Sequence, residues 1–527
     1  MKRLKRSQKT LEDQSRETRS LRAFFSSRRA KYGSTAVIFT TVVLVFALLF
    51  NILLTGVSEN MPLTLDFSSS DIFTLSEASR ALISETLPEE KPQISIRFMM
   101  PEDQLKENEH YNMILECAKT YAEAFDNVSV EFLDILTRPA DVTRYKELNL
   151  PVDSTSVAVD CESKSRVRLI GFESCFLTRE GASAYYGFDG ETQFTAAIMA
   201  VCRETEPVVT FTKGHGETVF TQLRSMFETA GYKLEDANLA RGELNPDTQI
   251  LVICNPTADF SGIRGAAEGG KSEIDVLKEY YNSFRDVMVF LSPDNTAELP
   301  ELDALLEEWG VVVHRGETLT DEVQSLSNSG GKTLIASYGG NSFLTDGTYT
   351  SRGSALHKSL TADGNPPMTL LMNAAPIEIL KENASGEEGD IQEDCVLVTS
   401  ENAYLTGEDG QKESGVYTLM ALSTTAGYNE TNTDEVFAHV LVCGSSRFTE
   451  VAAAGDAAYG NSEIVYTAMT LMSKESAPAG IELKKFDDNT LTVTEGYAKT
   501  VLILSMTVLP GVVLICGAVV YLRRRHK

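Results

Sequence analysis

Apolar and polar positions divide the chain into two long apolar runs and, between them, a regular succession of short elements. Residues 35–55 hold no charge and one strongly polar side chain, Asn51, and residues 501–522 are likewise uncharged. A helix of about 20 apolar residues spans a hydrocarbon core about 30 Å thick, so both runs are predicted transmembrane helices. Between them, Ile94, Ile96 and Phe98 alternate with polar residues as a half-buried strand does, and Val128, Val130 and Phe132 repeat the pattern. A helix over 112–125, with Met113, Ile114, Cys117, Ala118 and Tyr121 on one face, separates them and completes a βαβ unit. Strands at 157–159 and 167–176 and a helix over 191–203 follow, and the polar stretch Arg203-Glu204-Thr205-Glu206-Pro207 marks a domain boundary.

The second domain opens with a strand at 208–212 and a loop, Lys213-Gly214-His215-Gly216-Glu217. Its first helix carries Val219, Phe220, Leu223, Met226, Phe227 and Ala230 at spacings of three and four and stops at Gly231. The continuously apolar run 250–254 reads as a strand covered on both faces. A helix over 272–284, a strand at 287–291, a helix holding Leu302, Leu305, Leu306 and Trp309, and a strand at 311–313 continue the alternation, which argues for a parallel, doubly wound sheet. Residues 315–435 are rich in Gly, Asn, Ser and acids and give only strand candidates at 333–337, 368–372 and 396–399. A strand at 440–443 and a helix over 461–472 return to the same sheet, and 481–493 alternates as a strand or hairpin.

Charge orients this plan. Eleven basic residues against three acids before residue 35 make +8, and Arg523, Arg524, Arg525 and Lys527 add +4 at the other end. The positive-inside rule keeps both tails in the cytoplasm and places 56–500 outside. A cleaved signal peptide is the competing reading of the first run, but the run is long for one and no Ala-x-Ala-like site follows. With a net charge of −28 for 527 residues, the outer region carries −40 once the tails are set aside, a surface that repels nucleic acid. The resulting division is a basic tail 1–33, helix 34–55, an α/β domain 56–205, a second α/β domain 206–480, a juxtamembrane segment 481–500, helix 501–522 and a basic tail 523–527.

Of eight cysteines, Cys516 lies in the second apolar run, and the other seven include no Cys-x-x-Cys. Cys117, Cys254 and Cys443 sit among apolar neighbours and read as small buried hydrophobes. A Cys161–Cys175 bridge and free thiols are both open in an exporting compartment.

The expected ligand position is the loop Gly214-His215-Gly216-Glu217, at the end of a strand and the start of a helix. It imitates half of Gly-x-Gly-x-x-Gly, with Glu235 and Asp236 near the place of a ribose-binding acid, but Val219 stands where the third glycine belongs. Two readings remain: a tight turn whose Glu217 favours the positive helix end, or a ligand or partner contact through Gly214, His215, Gly216 and Glu217. Gly330-Gly331-Lys332-Thr333 imitates the end of a P-loop, yet Leu326 replaces its first glycine and a strand follows. Gly444-Ser445-Ser446-Arg447-Phe448 lacks the closing glycine of a nucleophile elbow. The six histidines are scattered and no His-Glu-x-x-His occurs, so neither a metal nor another cofactor is expected.

Taken together, Thr74-Leu75-Ser76, Gly190-Glu191-Thr192-Gln193-Phe194-Thr195-Ala196-Ala197-Ile198, Thr212 to Glu217, Gly444-Ser445-Ser446, Tyr459-Gly460-Asn461 and the apolar ending closed by arginines resemble the GldG-like family over about residues 60–525. These are auxiliary components of ABC-type transport systems, first associated with gliding motility. The resemblance implies a membrane-anchored, non-enzymatic partner of a separate ATPase and permease. It also implies that the second domain is related to glutamine-amidotransferase-like flavodoxin folds without their catalytic cysteine. The outer region would then contact cargo, cell wall or another envelope protein. The runner-up is a receptor or ectoenzyme using the cleft at His215 and Glu217.

Overall fold

The computed structural model describes residues 73–486 apart from 89–90, 149, 179–183, 263–270, 340–355, 357–367, 381–390, 407–410, 429–434, 457 and 474. The chain divides into two compact units, Met1–Phe67 and Ser68–Lys527, and every described residue belongs to the second. The basic tails and both apolar runs lie outside the described residues. Among those described, no helix is long and apolar enough to cross a membrane. The second unit is mixed α/β, built on several sheets.

The first sheet contains β1 (Ile94–Phe98), β2 (Val128–Phe132), β3 (Ser156–Cys161) and β4 (Arg166–Gly171) in the order β2-β1-β3-β4. β1 and β2 are parallel, and β3 and β4 join antiparallel. Three helices, α1 (Glu77–Thr86), α2 (Glu109–Ala124) and α3 (Gly190–Cys202), bring apolar faces to this sheet. Ile94, Ile96 and Phe98 alternate inward and share one core with Ile114, Cys117 and Tyr121 of α2 and Phe194 and Ile198 of α3. Each such side chain removed from water stabilises the domain by about 1.5–3 kcal/mol. The expected strand 167–176 is broken after Gly171, where a 3-10 turn, Phe172–Cys175, redirects the chain into β5 (Phe176–Thr178). β5 pairs with β6 (Tyr185–Phe188), which in turn pairs with the short strand Lys484–Lys485.

The large sheet is parallel in one half and antiparallel in the other. Its parallel half opens with β7 (Val208–Thr212), β8 (Lys233–Ala237), β9 (Thr248–Cys254) and β10 (Asp286–Phe290) and ends with a strand supplied late in the chain. The later strands of the large sheet are β11 (Val311–Val313), β12 (Thr333–Tyr338), β13 (Thr369–Met372), β14 (Ile377–Ile379), β15 (Ile391–Val398), β18 (Thr418–Tyr428) and β19 (Glu435–Cys443), while β16 (Tyr404–Thr406) and β17 (Lys412–Ser414) form a two-stranded sheet of their own. The main path runs β13-β12-β15-β18-β19-β10-β9-β7-β8. From β8 to β19 every neighbouring pair is parallel, and from β19 to β13 every pair is antiparallel. The uniformly parallel sheet expected from the alternation is thereby corrected, because the described strands contributed by 315–435 to the main path, β12, β13, β15 and β18, all pair antiparallel. Helices cover both faces of the parallel half. α4 (Thr221–Thr229) and α7 (Asn461–Met472) pack with Phe211, Val252 and Leu441 on one side. α5 (Glu273–Asn282) and α6 (Pro300–Glu308) pack with Leu251, Val289 and Val440 on the other.

α4 begins two residues later than its apolar spacing suggested. Phe220 is extended (φ −73°, ψ 137°), and the Thr218 amide donates to the Cys254 carbonyl at 2.9 Å, so 213–220 is a loop laid across the end of β9. Cys161 and Cys175 are both free thiols in the structure, and the bridge between them is not formed.

Candidate functional site

Counting the parallel strands by position in the chain, their spatial order is second, first, third, fourth, fifth. The order reverses between β7 and β9, and in open α/β sheets ligands bind beyond the strand ends at such a reversal. The loop after β7 is Lys213 to Phe220, and the loop after β9 begins at Asn255. Here they are tied to each other: the Thr257 and Ala258 amides both donate to the His215 carbonyl, at 2.7 and 2.9 Å. Gly214 and Gly216 adopt φ of +116° and +72°. A Cβ on Gly216 would stand 2.2 Å from Thr257 Oγ1, and one on Gly214 2.6 Å from Asn238 Nδ2. The chain's own loops therefore account for both glycines.

His215 is buried between two carboxyl groups. Nδ1 lies 3.3 Å from Glu217 Oε1 and Nε2 3.2 Å from Glu273 Oε2, while Phe260 covers the ring with centroids 4.2 Å apart. Burial works against a charged imidazole, but the hydrogen bond to Glu217 and the nearby charge of Glu273 outweigh it and raise the pKa above the usual histidine value. Glu217 feels the opposite balance: burial pushes its carboxyl up, while His215 and backbone amides hold it below the ordinary glutamate value. Glu217 does not serve α4, which begins four residues later. It accepts instead from the His215 amide at 2.8 Å. Glu273, absent from the sequence-derived set, opens α5 and accepts from the Ser261 amide at 2.8 Å. Its Oε1 is buried with no hydrogen-bond partner among the described residues. No local pattern marks Glu273, because it reaches the loop only through the fold.

Other sequence candidates resolve into packing. Glu235 is held by Lys233 and Asn245, and Asp236 pairs with Arg224. Gly330 and Gly331 form a turn into β12, not into a helix. Burial drives the Cys254 thiol up to about 12, so it is protonated and unreactive at neutral pH. Ser445 is fully buried and donates to the Met372 carbonyl at 2.6 Å, while a Cβ on Gly444 would meet the Ala375 carbonyl at 2.2 Å. Asn461 bonds both the amide and carbonyl of Leu370, at 3.0 and 2.8 Å, and the Phe448 carbonyl at 3.0 Å, fixing the start of α7. His110 packs against Phe176 and Tyr185, His314 meets Glu378, and His439 meets Asp286. Among the described residues no three His, Cys, Asp or Glu side chains come together to hold a metal ion.

A second arrangement joins distant motifs. Glu191, buried in the first turn of α3, accepts from the Ser76 amide at 2.8 Å and Ser79 Oγ at 2.6 Å. Its other oxygen meets Lys484 Nζ at 2.7 Å, and that ammonium also donates to the Thr74 carbonyl at 2.6 Å. Burial pushes the Glu191 carboxyl up, but Lys484 and the two serines prevail and hold it below the ordinary value. The two ends of the described body are thus fastened to one carboxylate. A wide polar groove of about 1010 Å³ also lies on the first domain beside Arg97, whose guanidinium is already paired with Glu131, Asp160 and Glu162 at 2.7–2.9 Å.

No family model matches the chain. No curated protein matches it either. Among solved structures, it is similar to the mmIFT52 N-terminal domain at 14% identity and a TM-score of 0.35, over 50% of this chain and 96% of that one.

Proposed function

We propose that this chain is a membrane-anchored, non-ATPase auxiliary subunit of an ABC-type transport system, of the GldG-like kind. In this reading two helices, 34–55 and 501–522, pack beside a permease, a separate ATPase supplies the energy, and the acidic region between them contacts cargo or an envelope partner. The observation that carries the proposal is the fastening of Ser76 and Lys484 to Glu191, with Thr74 held by the same lysine, because a body anchored by two helices needs its two connections to leave together. The spatial order of the five parallel strands is that of flavodoxin-like sheets and supports assigning the second domain to that class. The buried, protonated thiol at Cys254 supports the view that an amidotransferase-like fold serves here without nucleophilic chemistry.

The test has two parts. Impermeant thiol reagents applied to intact cells should reach single cysteines placed on the surface of 73–486 and not cysteines at either terminus. Purification of the full chain in mild detergent should recover a multi-span permease and an ATPase. Labelling of the body only after the bilayer is opened ends the proposal. The alternative, a receptor or ectoenzyme, is favoured by Glu273, whose Oε2 meets His215 while its Oε1 has no hydrogen-bond partner among the described residues. Alanine at both His215 and Glu217 separates the two: ligand binding or turnover lost with assembly intact supports the alternative.

A further inference from the structure

A cavity of about 60 Å³ lies where the start of α3, the helices α4 and α7 and the segment following α7 meet. Asp189, immediately before α3, and Glu463, in the first turn of α7, both line it, and Thr192, Gln222 and Ser462 bring neutral oxygen atoms to the same walls. Among the described residues no basic side chain, histidine or cysteine lines it. Asp189 Oδ2 accepts from Gln193 Nε2 at 2.9 Å, whereas Oδ1 is shielded from solvent and has no hydrogen-bond partner among the described residues. Glu463 takes the Gly480 amide at 2.7 Å and the Thr467 hydroxyl at 3.4 Å on one oxygen, Oε1, and Oε2 accepts from neither. The Lys484 ammonium, one residue beyond the lining Leu483, is committed to Glu191 and the Thr74 carbonyl.

The Gly480 contact is of the kind a charged carboxylate makes, a backbone amide donating to an anionic oxygen. Burial raises Asp189 only to about 6, so it too is ionised in neutral solution. Each helix N-terminus beside these acids offers a partial charge of about +0.5, and two such ends offset about half of two carboxylates. A buried carboxylate oxygen without a donor is costly, and the remaining negative charge has no cation from the protein in the cavity wall. Oxygen ligands without imidazole or thiolate select hard cations over transition metals. Magnesium demands near-ideal octahedral geometry and dehydrates reluctantly, whereas calcium accepts carboxylate, amide, hydroxyl and water oxygens in irregular arrangements. A cavity of this size has room for such an ion with about one or two waters.

The geometry points to a calcium site in this cavity, with Asp189 and Glu463 supplying charge and Thr192, Gln222 and Ser462 neutral oxygens. The ion would tie α3 to α4 and α7 beside the segment that leads out of the described body. Two carboxylates with neutral partners are enough for a hard cation, although no three acids, histidines or cysteines come together among the described residues. The site is separate from the loop at His215 and does not depend on the membrane reading. In a chain placed as proposed above, the ion comes from the external medium.

Calcium titration of the full chain in detergent, after treatment with a chelator, tests the site by calorimetry and by thermal melting. The wild type should show one saturable site, and calcium should raise its melting temperature more than magnesium does at equal ionic strength. Asp189→Asn/Glu463→Gln, neutral and isosteric, should bind calcium at least about tenfold more weakly. In chelator it should melt no lower than the wild type, because two buried charges are gone. Glu401→Gln/Glu413→Gln removes the same charge from exposed positions and should leave the saturable site intact. If the double variant does not fold, Asp189→Asn alone is read by terbium emission excited through Tyr466, which lines the cavity, and that emission should be strong and displaced by calcium only in the wild type. A wild type that takes up no calcium, equal weakening in the exposed variant, or undiminished terbium emission from Asp189→Asn overturns the proposal.

Discussion

His215 Nε2 stands 3.2 Å from Oε2 of Glu273, a residue 58 positions further along the chain, so the loop after β7 is pinned to the start of α5 by an imidazole whose charge depends on one proton. The raised histidine pKa means that this proton is held more tightly in the folded state than in the unfolded chain. Its contribution to stability is fully present below the ordinary histidine value of 6.5 and is lost as the pH rises through the raised one. The melting temperature should therefore fall as the pH rises above 6.5, and His215→Gln should flatten that part of the profile. Titration of the His215 ring by NMR checks the sign directly, since a value below 6.5 contradicts it.

Gly216→Ala should destabilise the protein by about 1–3 kcal/mol, combining a left-handed backbone with a methyl group driven into Thr257. Removing the obstacle with Thr257→Ala should restore part of the loss and leave the backbone component. Urea midpoints of the three variants measure both parts.

Asn461→Leu should cost about 2–4 kcal/mol, because the Leu370 amide and carbonyl and the Phe448 carbonyl are left buried without that partner. If the variant unfolds at the wild-type urea concentration, Asn461 does not fix α7 in the way described.

Lys484→Met should leave the Glu191 carboxylate buried without its cation, at a cost of about 3–5 kcal/mol, whereas Lys484→Met combined with Glu191→Gln should recover much of it. The two single variants and the double variant form a cycle whose coupling energy is read from denaturation. A coupling near zero would remove the claim that the two ends are fastened together.

Much of the fold was legible because strong periodicity coincided with burial. The strands at 208–212 and 250–254 and the helix at 461–472 lie where the apolar pattern put them. β18 was missed because Leu419 to Leu422 gives way to Ser423-Thr424-Thr425, so its order comes from pairing with β15 and β19 and not from its own side chains. The onset of α4 was misplaced because Val219 and Phe220 keep the helical spacing while the loop needs them extended. At the candidate site, the glycines and His215 could be read locally, but Glu273 and Phe260 could not. Lys484 and Glu191 are likewise far apart in sequence, and their ion pair belongs to the assembled body alone.

β19 occupies the middle of the large sheet, parallel to β10 on one side and antiparallel to β18 on the other. A ribosome must therefore pass residue 435 before the strand that pairs with both halves has been made. A truncated product stopping short of residue 435 would present two raw, apolar strand edges to its neighbours, so secretion in pieces or premature termination should yield aggregates instead of a smaller soluble body.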